Sequence, residues 1–203
     1  MLPDPLLIAL TGPWGLIAMG LLVLCDAFLV VVPGEIAVTA LGALAVSEGA
    51  PPLWAVISVA AIAAWSGDAT CFLIGRRVGL QRWRWMRTAK VQAALTAARR
   101  RLDRNAATVL FTARFVPFAR LAVNLTAGAS RLHPVRFLSL AACAAAGWAA
   151  YQAAVGAAIA AILPGGPLVA VVVSVVVAIA IGVIIDRVVT RTQRRDTTGR
   201  PFR

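Results

Sequence analysis

Lysine and arginine are missing from residues 1–75, and the whole 203-residue chain holds one histidine and three cysteines. Each scarcity removes a class of function. A lipid phosphatase uses one histidine as nucleophile and a second as acid–base, and His133 has no such partner. No GxSG or HExxH run supports a hydrolase either. Cys25, Cys71 and Cys143 are far apart, each in an apolar run, with no CxxC pair and no metal-ligand spacing. They read as small buried hydrophobes, and neither a metal nor a cofactor is expected. Charged residues make up only 14% against 61% hydrophobic, and the mean hydropathy is +0.85. That is a polytopic membrane protein, not a soluble domain with a large core. The N-terminus has no basic n-region and no clear small-residue cleavage site, so it is expected to be retained.

What charge there is lies in blocks. Ten of the twenty basic residues fall between Arg76 and Arg104, six between Arg187 and Arg203, and four between Arg114 and Arg136. A net charge of +12 can suggest nucleic acid. Basic blocks beside apolar spans instead set membrane orientation and bind anionic lipid heads, so nucleic acid is not expected as a partner.

The third block lies in the stretch around which the chain is organised, FTARFVPFARLAVNLTAGASRLHPVR, Phe111 to Arg136. An arginine at mid-bilayer costs at least ~2.5–3.5 kcal/mol on insertion scales. Arg114 and Arg120 nevertheless flank Pro117 inside the apolar part, and Gly128 follows. Broken backbone at membrane depth survives only where protein or a watery cavity surrounds it. The stretch reads as a re-entrant, site-forming segment whose charges meet an anion or a carboxylate.

Taken in order, Pro5 to Cys25 is one apolar run of membrane length interrupted by Gly12, Pro13 and Gly15. Asp26 and Glu35 then sit in an apolar segment with Pro33-Gly34 directly before the glutamate. Proline removes a helical hydrogen bond and glycine loosens the backbone, so a break with a carboxylate beside it is expected. Pro51 to Gly75 is a span carrying Gly67-Asp68, with Asp68 expected to face a polar interior or to snorkel. Leu80 to Arg104 reads as an amphipathic helix on the anionic leaflet, with Val91, Leu95, Ala98 and Leu102 on its apolar side. Phe137 to Leu163 is an uncharged run in which Trp148 and Tyr151 read as packing or cavity lining. Pro164–Pro167 is a turn, Leu168–Ile185 a further span, and residues 187–203 a basic tail. His133 reads as a solvated interfacial residue and Asp186 as a rim charge.

The halves show a weak repeat. Pro33, Glu35, Thr39 to Gly42 and the later Gly67, Phe72 and Gly75 correspond to Pro117, Arg120, Thr126 to Gly128, Gly147, Tyr151 and Gly156. The basic blocks place Arg76–Arg104 and the tail in the cytoplasm, which puts both termini there and sets the halves in opposite orientations. The expected fold is thus all-α and polytopic. It is an inverted repeat of a re-entrant hairpin plus a transmembrane helix, with about four spans and two re-entrant segments. The parts are one transmembrane domain over 1–186 (first repeat 26–79, amphipathic helix 80–104, second repeat 108–160) and the tail 187–203. Paired broken segments of this kind point to a substrate site near the midplane.

At these residues the chain resembles the DedA family of bacterial membrane proteins, whose domain is shared with eukaryotic lipid scramblases. The resemblance rests on Asp26 with Pro33-Gly34-Glu35, on Gly67-Asp68 through Gly75-Arg76-Arg77-Val78-Gly79, and on Phe111, Arg114, Phe115, Pro117, Arg120 and Ala127-Gly128. Gly147-Trp148 also fits. The resemblance implies facing re-entrant hairpins and transport of polyprenyl phosphate or other phospholipids across the bacterial cytoplasmic membrane, driven by the proton gradient. Its essential acids fall on Asp26 and Glu35 and its essential arginines on Arg114 and Arg120. Asp26 stands where glutamate is commoner in the family.

The residues alone allow the same chemistry. Guanidinium binds phosphate bidentately and never loses its charge. A carboxylate partner (Glu35, Asp26 or Asp68) keeps the empty site neutral, and protonating Glu35 or Asp26 would free the arginines for phosphate. The expected partners are therefore a lipid phosphate, the membrane and protons, with assembly into homo-oligomers left open. Other readings stay in play: structural ion pairs that only lock the fold, a lipid scramblase, a proton-coupled ion exchanger, a membrane enzyme and a non-transporting assembly protein. Two arginines in the site weigh against a cation path.

Overall fold

A computed structural model describes residues 5–29, 34–78, 88–115, 119–130 and 132–162, with isolated positions 169, 172, 173 and 176. Pro33, Pro117, the first part of the basic stretch, the Pro164–Pro167 turn, most of the span after it and the tail lie outside the described residues. Among the described residues all regular structure is helical. The helices are α1 (Pro5–Thr11), α2 (Pro13–Asp26), α3 (Gly34–Ser47), α4 (Leu53–Val78), α5 (Ala89–Thr112), α6 (Ala119–Ala129) and α7 (Pro134–Ile162), with a 3₁₀ turn at Ala113–Phe115.

Length separates these helices into two kinds. With 26 residues in α4 and 29 in α7, each is about 40 Å long at ~1.5 Å per residue, more than the ~30 Å hydrocarbon core. These two are long and apolar enough to cross a membrane. Helices α2 and α3 have 14 residues each and α6 has 11. None of the three, at about 16–21 Å, crosses the core as a straight helix. The first apolar run breaks where Gly12-Pro13 foretells it. Gly12 is extended and Pro13 opens α2, a position where its missing N–H costs nothing. The second break follows Asp26, and α3 starts at Gly34.

Burial of apolar surface does little to hold helices together in lipid, since lipid tails are as apolar as leucine. Close packing and polar contacts do that work. The most extensive contacts are α3 on α7 and α6 on α4, followed by α4 on α7. Both leading pairs close through glycine. Gly42 lies on the backbone of Ala153 and Gly156 on that of Thr39; Gly128 lies on Phe72 and Gly75 on Leu125. In each pair the contacts on one helix are three residues apart, and so are those on its partner. The two halves therefore exchange their short helices by the same glycine geometry. Gly128, expected as a backbone break, is instead a point of close approach inside α6. An α-helix tolerates glycine there, and a Cβ would strike the Phe72 carbonyl of α4.

Two apolar clusters follow. One joins α2, α3, α4 and α7 through Met19, Val23, Val38, Val56, Ala60 and Trp148. The other gathers Phe72, Leu102, Leu110, Val123 and Phe137. In it the Phe72 and Phe137 rings stack 4.2 Å apart. The Trp65 indole N–H donates to the Leu138 carbonyl at 3.0 Å, tying α4 to α7.

Helix α5 spans the boundary drawn at 104–108 and kinks there. Asn105 is extended (φ −153°, ψ 78°), and its side-chain oxygen accepts the Thr108 N–H at 3.4 Å, restarting the helix as a cap would. Leu102, expected on the leaflet side of a surface helix, is buried in the second cluster with Ala106 and Leu110. The last turn before the kink thus already belongs to the core. Cys71 is buried as expected, whereas Cys25 and Cys143 are exposed. On an outer face that meets lipid, a thiol is as apolar a choice as it is in a core.

A buried charge cluster as the candidate functional site

The inner face of α4 is written in small residues. Ala60, Ala64, Gly67, Cys71 and Gly75 recur at three and four residues, all buried. Asp68 lies on the same stripe and is only 3% exposed. An isolated carboxylate there would be very costly. It is not isolated. Asp68 Oδ1 accepts from Arg120 Nε and from Asn124 Nδ2, both at 2.8 Å, and Oδ2 accepts from Arg114 Nη2. Arg120 and Asn124 are four residues apart on α6, so they present to α4 from one helical face.

Each of the three Arg120 guanidinium nitrogens donates to the protein. Besides the bond to Asp68, Nη1 donates to Asp26 Oδ2 at 3.1 Å and Nη2 to the Ala64 carbonyl at 3.3 Å. It thereby joins α2, α4 and α6. Arg114 stands on the 3₁₀ turn, with its side chain 2% exposed. Its Nη2 is held by Asp68, but Nη1 is buried and, among the described residues, has no hydrogen-bond partner. The guanidinium carbon is 5.9 Å from the Trp148 ring centroid, within cation–π range. Two arginines thus face two bonded carboxylates, and one guanidinium edge is left over.

Glu35 is in the first turn of α3, half-buried, where a helix N-terminus favours negative charge. It faces Asp26 and Arg120 electrostatically. Among the described residues, no hydrogen bond or ion pair reaches its carboxylate.

The family model of the VTT domain, the DedA family domain, matches residues 32–158. The chain belongs to the DedA family. That is a membrane-transporter type of family and not an enzyme family, which agrees with the apolar helices in making this a membrane protein. No curated protein and no solved structure matches the chain.

In this DedA-family chain the cluster unites Asp26, Asp68, Arg114 and Arg120 from both halves, with Glu35 beside it. Asp68 makes the most bonds of the three acids, although the sequence reading put Asp26 and Glu35 first. Gly34 opens α3 on the flank of the site, where a Cβ would press on Val23 and Asp26. One member was not anticipated: Asn124 is buried at 3% exposure, and its signal was an amide four residues after Arg120 in an otherwise apolar run. Trp148, read as packing or cavity lining, stands beside Arg114.

Proposed function

We propose that this DedA-family protein transports a lipid bearing a phosphate head group, most simply a polyprenyl phosphate, across the bacterial cytoplasmic membrane. The observation that carries the reading is Arg114 Nη1, a cationic donor buried beside Trp148 and without a hydrogen-bond partner among the described residues. A buried guanidinium edge calls for an anion that accepts along that edge, and phosphate oxygens do so with good geometry. The prenyl tail would remain in lipid while only the head group enters. In this reading the segment from Asp26 through α3 and the 3₁₀ turn with α6 act as two re-entrant segments of an inverted repeat. Helices α4 and α7 are spans, the apolar runs at Pro5–Cys25 and Leu168–Ile185 complete the four, and both termini are cytoplasmic. Protons enter through Asp26 or Glu35, whose neutralisation releases positive potential toward the phosphate. The protein then acts as a carrier without cofactor or chemical step, and homo-oligomers are compatible with it.

The test is flipping of a chemically reportable polyprenyl phosphate in proteoliposomes, with and without a pH gradient, for wild type and Arg120→Ala. Gradient-dependent movement in wild type, lost in the variant, is expected. Scrambling of neutral phospholipids without movement of the phosphate would replace this reading with that of a scramblase.

A further inference from the structure

The two aspartates on Arg120 are not equivalent. Asp68 lies mid-helix on α4 with its side chain 4% exposed, and it binds both arginines and Asn124. Asp26 is the last residue of α2, its side chain is 20% exposed, and its one bond to Arg120 is the longer of the two, 3.1 Å against 2.8 Å. An acid at a helix end can turn away without disturbing a helix. An acid on a packed stripe of alanine and glycine cannot.

We propose that Asp68, seconded by Asn124, is a fixed positioning residue for both arginines, and that Asp26 is a displaceable counter-ion whose place on Arg120 Nη1 is taken by a phosphate monoester. The incoming anion then bridges Arg120 Nη1, vacated by Asp26, and Arg114 Nη1, which has no hydrogen-bond partner among the described residues. Asp68 keeps Nη2 of Arg114 and Nε of Arg120, so the two guanidinium groups stay side by side against their mutual repulsion. This rests on the phosphate reading above and assigns unlike roles to its acids.

The roles give opposite signs where simple electrostatics gives one. Removing either negative charge should favour an anion if charge alone counted. Here Asp26→Asn removes a competitor for the donor, whereas Asp68→Asn releases the donors themselves. The experiment is equilibrium binding, by titration calorimetry, of farnesyl monophosphate and separately of inorganic phosphate to the full chain in detergent micelles. With one charge-assisted hydrogen bond at stake in each case, Asp26→Asn is expected to bind about tenfold more tightly and Asp68→Asn about tenfold more weakly. Should Asp68→Asn fail to fold, Asn124→Leu carries the same arm. It changes no charge, so electrostatics predicts no effect, and the positioning role predicts weaker binding.

Wild-type binding with Asp26→Asn no tighter, or with Asp68→Asn or Asn124→Leu undiminished, overturns this proposal and leaves the phosphate reading standing. Absence of binding by wild type and every variant to both probes overturns the two together. The expected pattern with farnesyl monophosphate alone assigns the site to a lipid head group. The same pattern with both probes assigns it to phosphate whatever its source.

Discussion

Two helix-interior glycines should respond to the same substitution with opposite signs. Alanine is about 1 kcal/mol better than glycine inside a helix, so Gly→Ala gains that amount wherever a methyl group fits. At Gly147 of α7 the nearest atom to a new Cβ is the Phe111 ring edge at 3.6 Å, ordinary van der Waals contact. Gly147→Ala is expected to stabilise by about 1 kcal/mol. At Gly128 of α6 the new methyl meets the Phe72 carbonyl and the Arg76 nitrogen, both backbone atoms of α4. Backbone cannot rotate aside, so α6 and α4 must separate. Overpacking of this kind costs about 1–3 kcal/mol, and Asn124, one turn back on the same helix, is drawn away from Asp68. A charged hydrogen bond adds about 1.5–3 kcal/mol when lost outright. After the propensity gain, Gly128→Ala should destabilise by about 0–2 kcal/mol from overpacking alone and by up to about 5 kcal/mol if the bond is lost outright. Thermal unfolding in detergent can be followed with a thiol-reactive dye in a Cys25→Ser, Cys143→Ser background, where buried Cys71 becomes reactive only on opening. A melting temperature for Gly128→Ala at or above its parent would refute the reasoning, because the glycine contact between α6 and α4 would then not be close.

Three further outcomes are expected. Arg120→Lys should lose lipid transport nearly as fully as Arg120→Ala, because one ammonium cannot serve Asp68, Asp26 and the Ala64 carbonyl at once; transport near wild-type level in the proteoliposome assay would argue against the fork. Trp65→Phe keeps an aromatic side chain but drops the bond to the Leu138 carbonyl and part of the indole volume, and should cost at least about 0.5–1.5 kcal/mol in the same melting assay without altering phosphate binding. Trp148→Ala should cost about 3–5 kcal/mol through the cavity it leaves and should also weaken phosphate binding at Arg114, whereas Trp148→Phe should preserve most of the binding.

Much of this protein was settled along the chain itself. Apolar runs longer than the bilayer can only be buried in lipid or in each other, so α4 and α7 were visible as helices long and apolar enough to cross a membrane. Gly12-Pro13 announced its break because proline lacks an N–H and glycine lacks a Cβ, which are local properties. Arg114 and Arg120 marked a site because charge is expensive at membrane depth wherever its partner is. The partner was another matter. Asp68 precedes Arg114 by 46 residues, and spacing along the chain carries no information on which acid meets which arginine. Only docking α6 on α4 through Gly128 and Gly75 brings Asp68 under both guanidinium groups. That docking also turned Gly128 from an expected break into a contact, since a glycine in sequence looks the same whether it frees the backbone or admits another. The chain by itself determined that charges had to be buried together. The packing of short helices across the two halves decided which ones, and which guanidinium edge has no partner among the described residues.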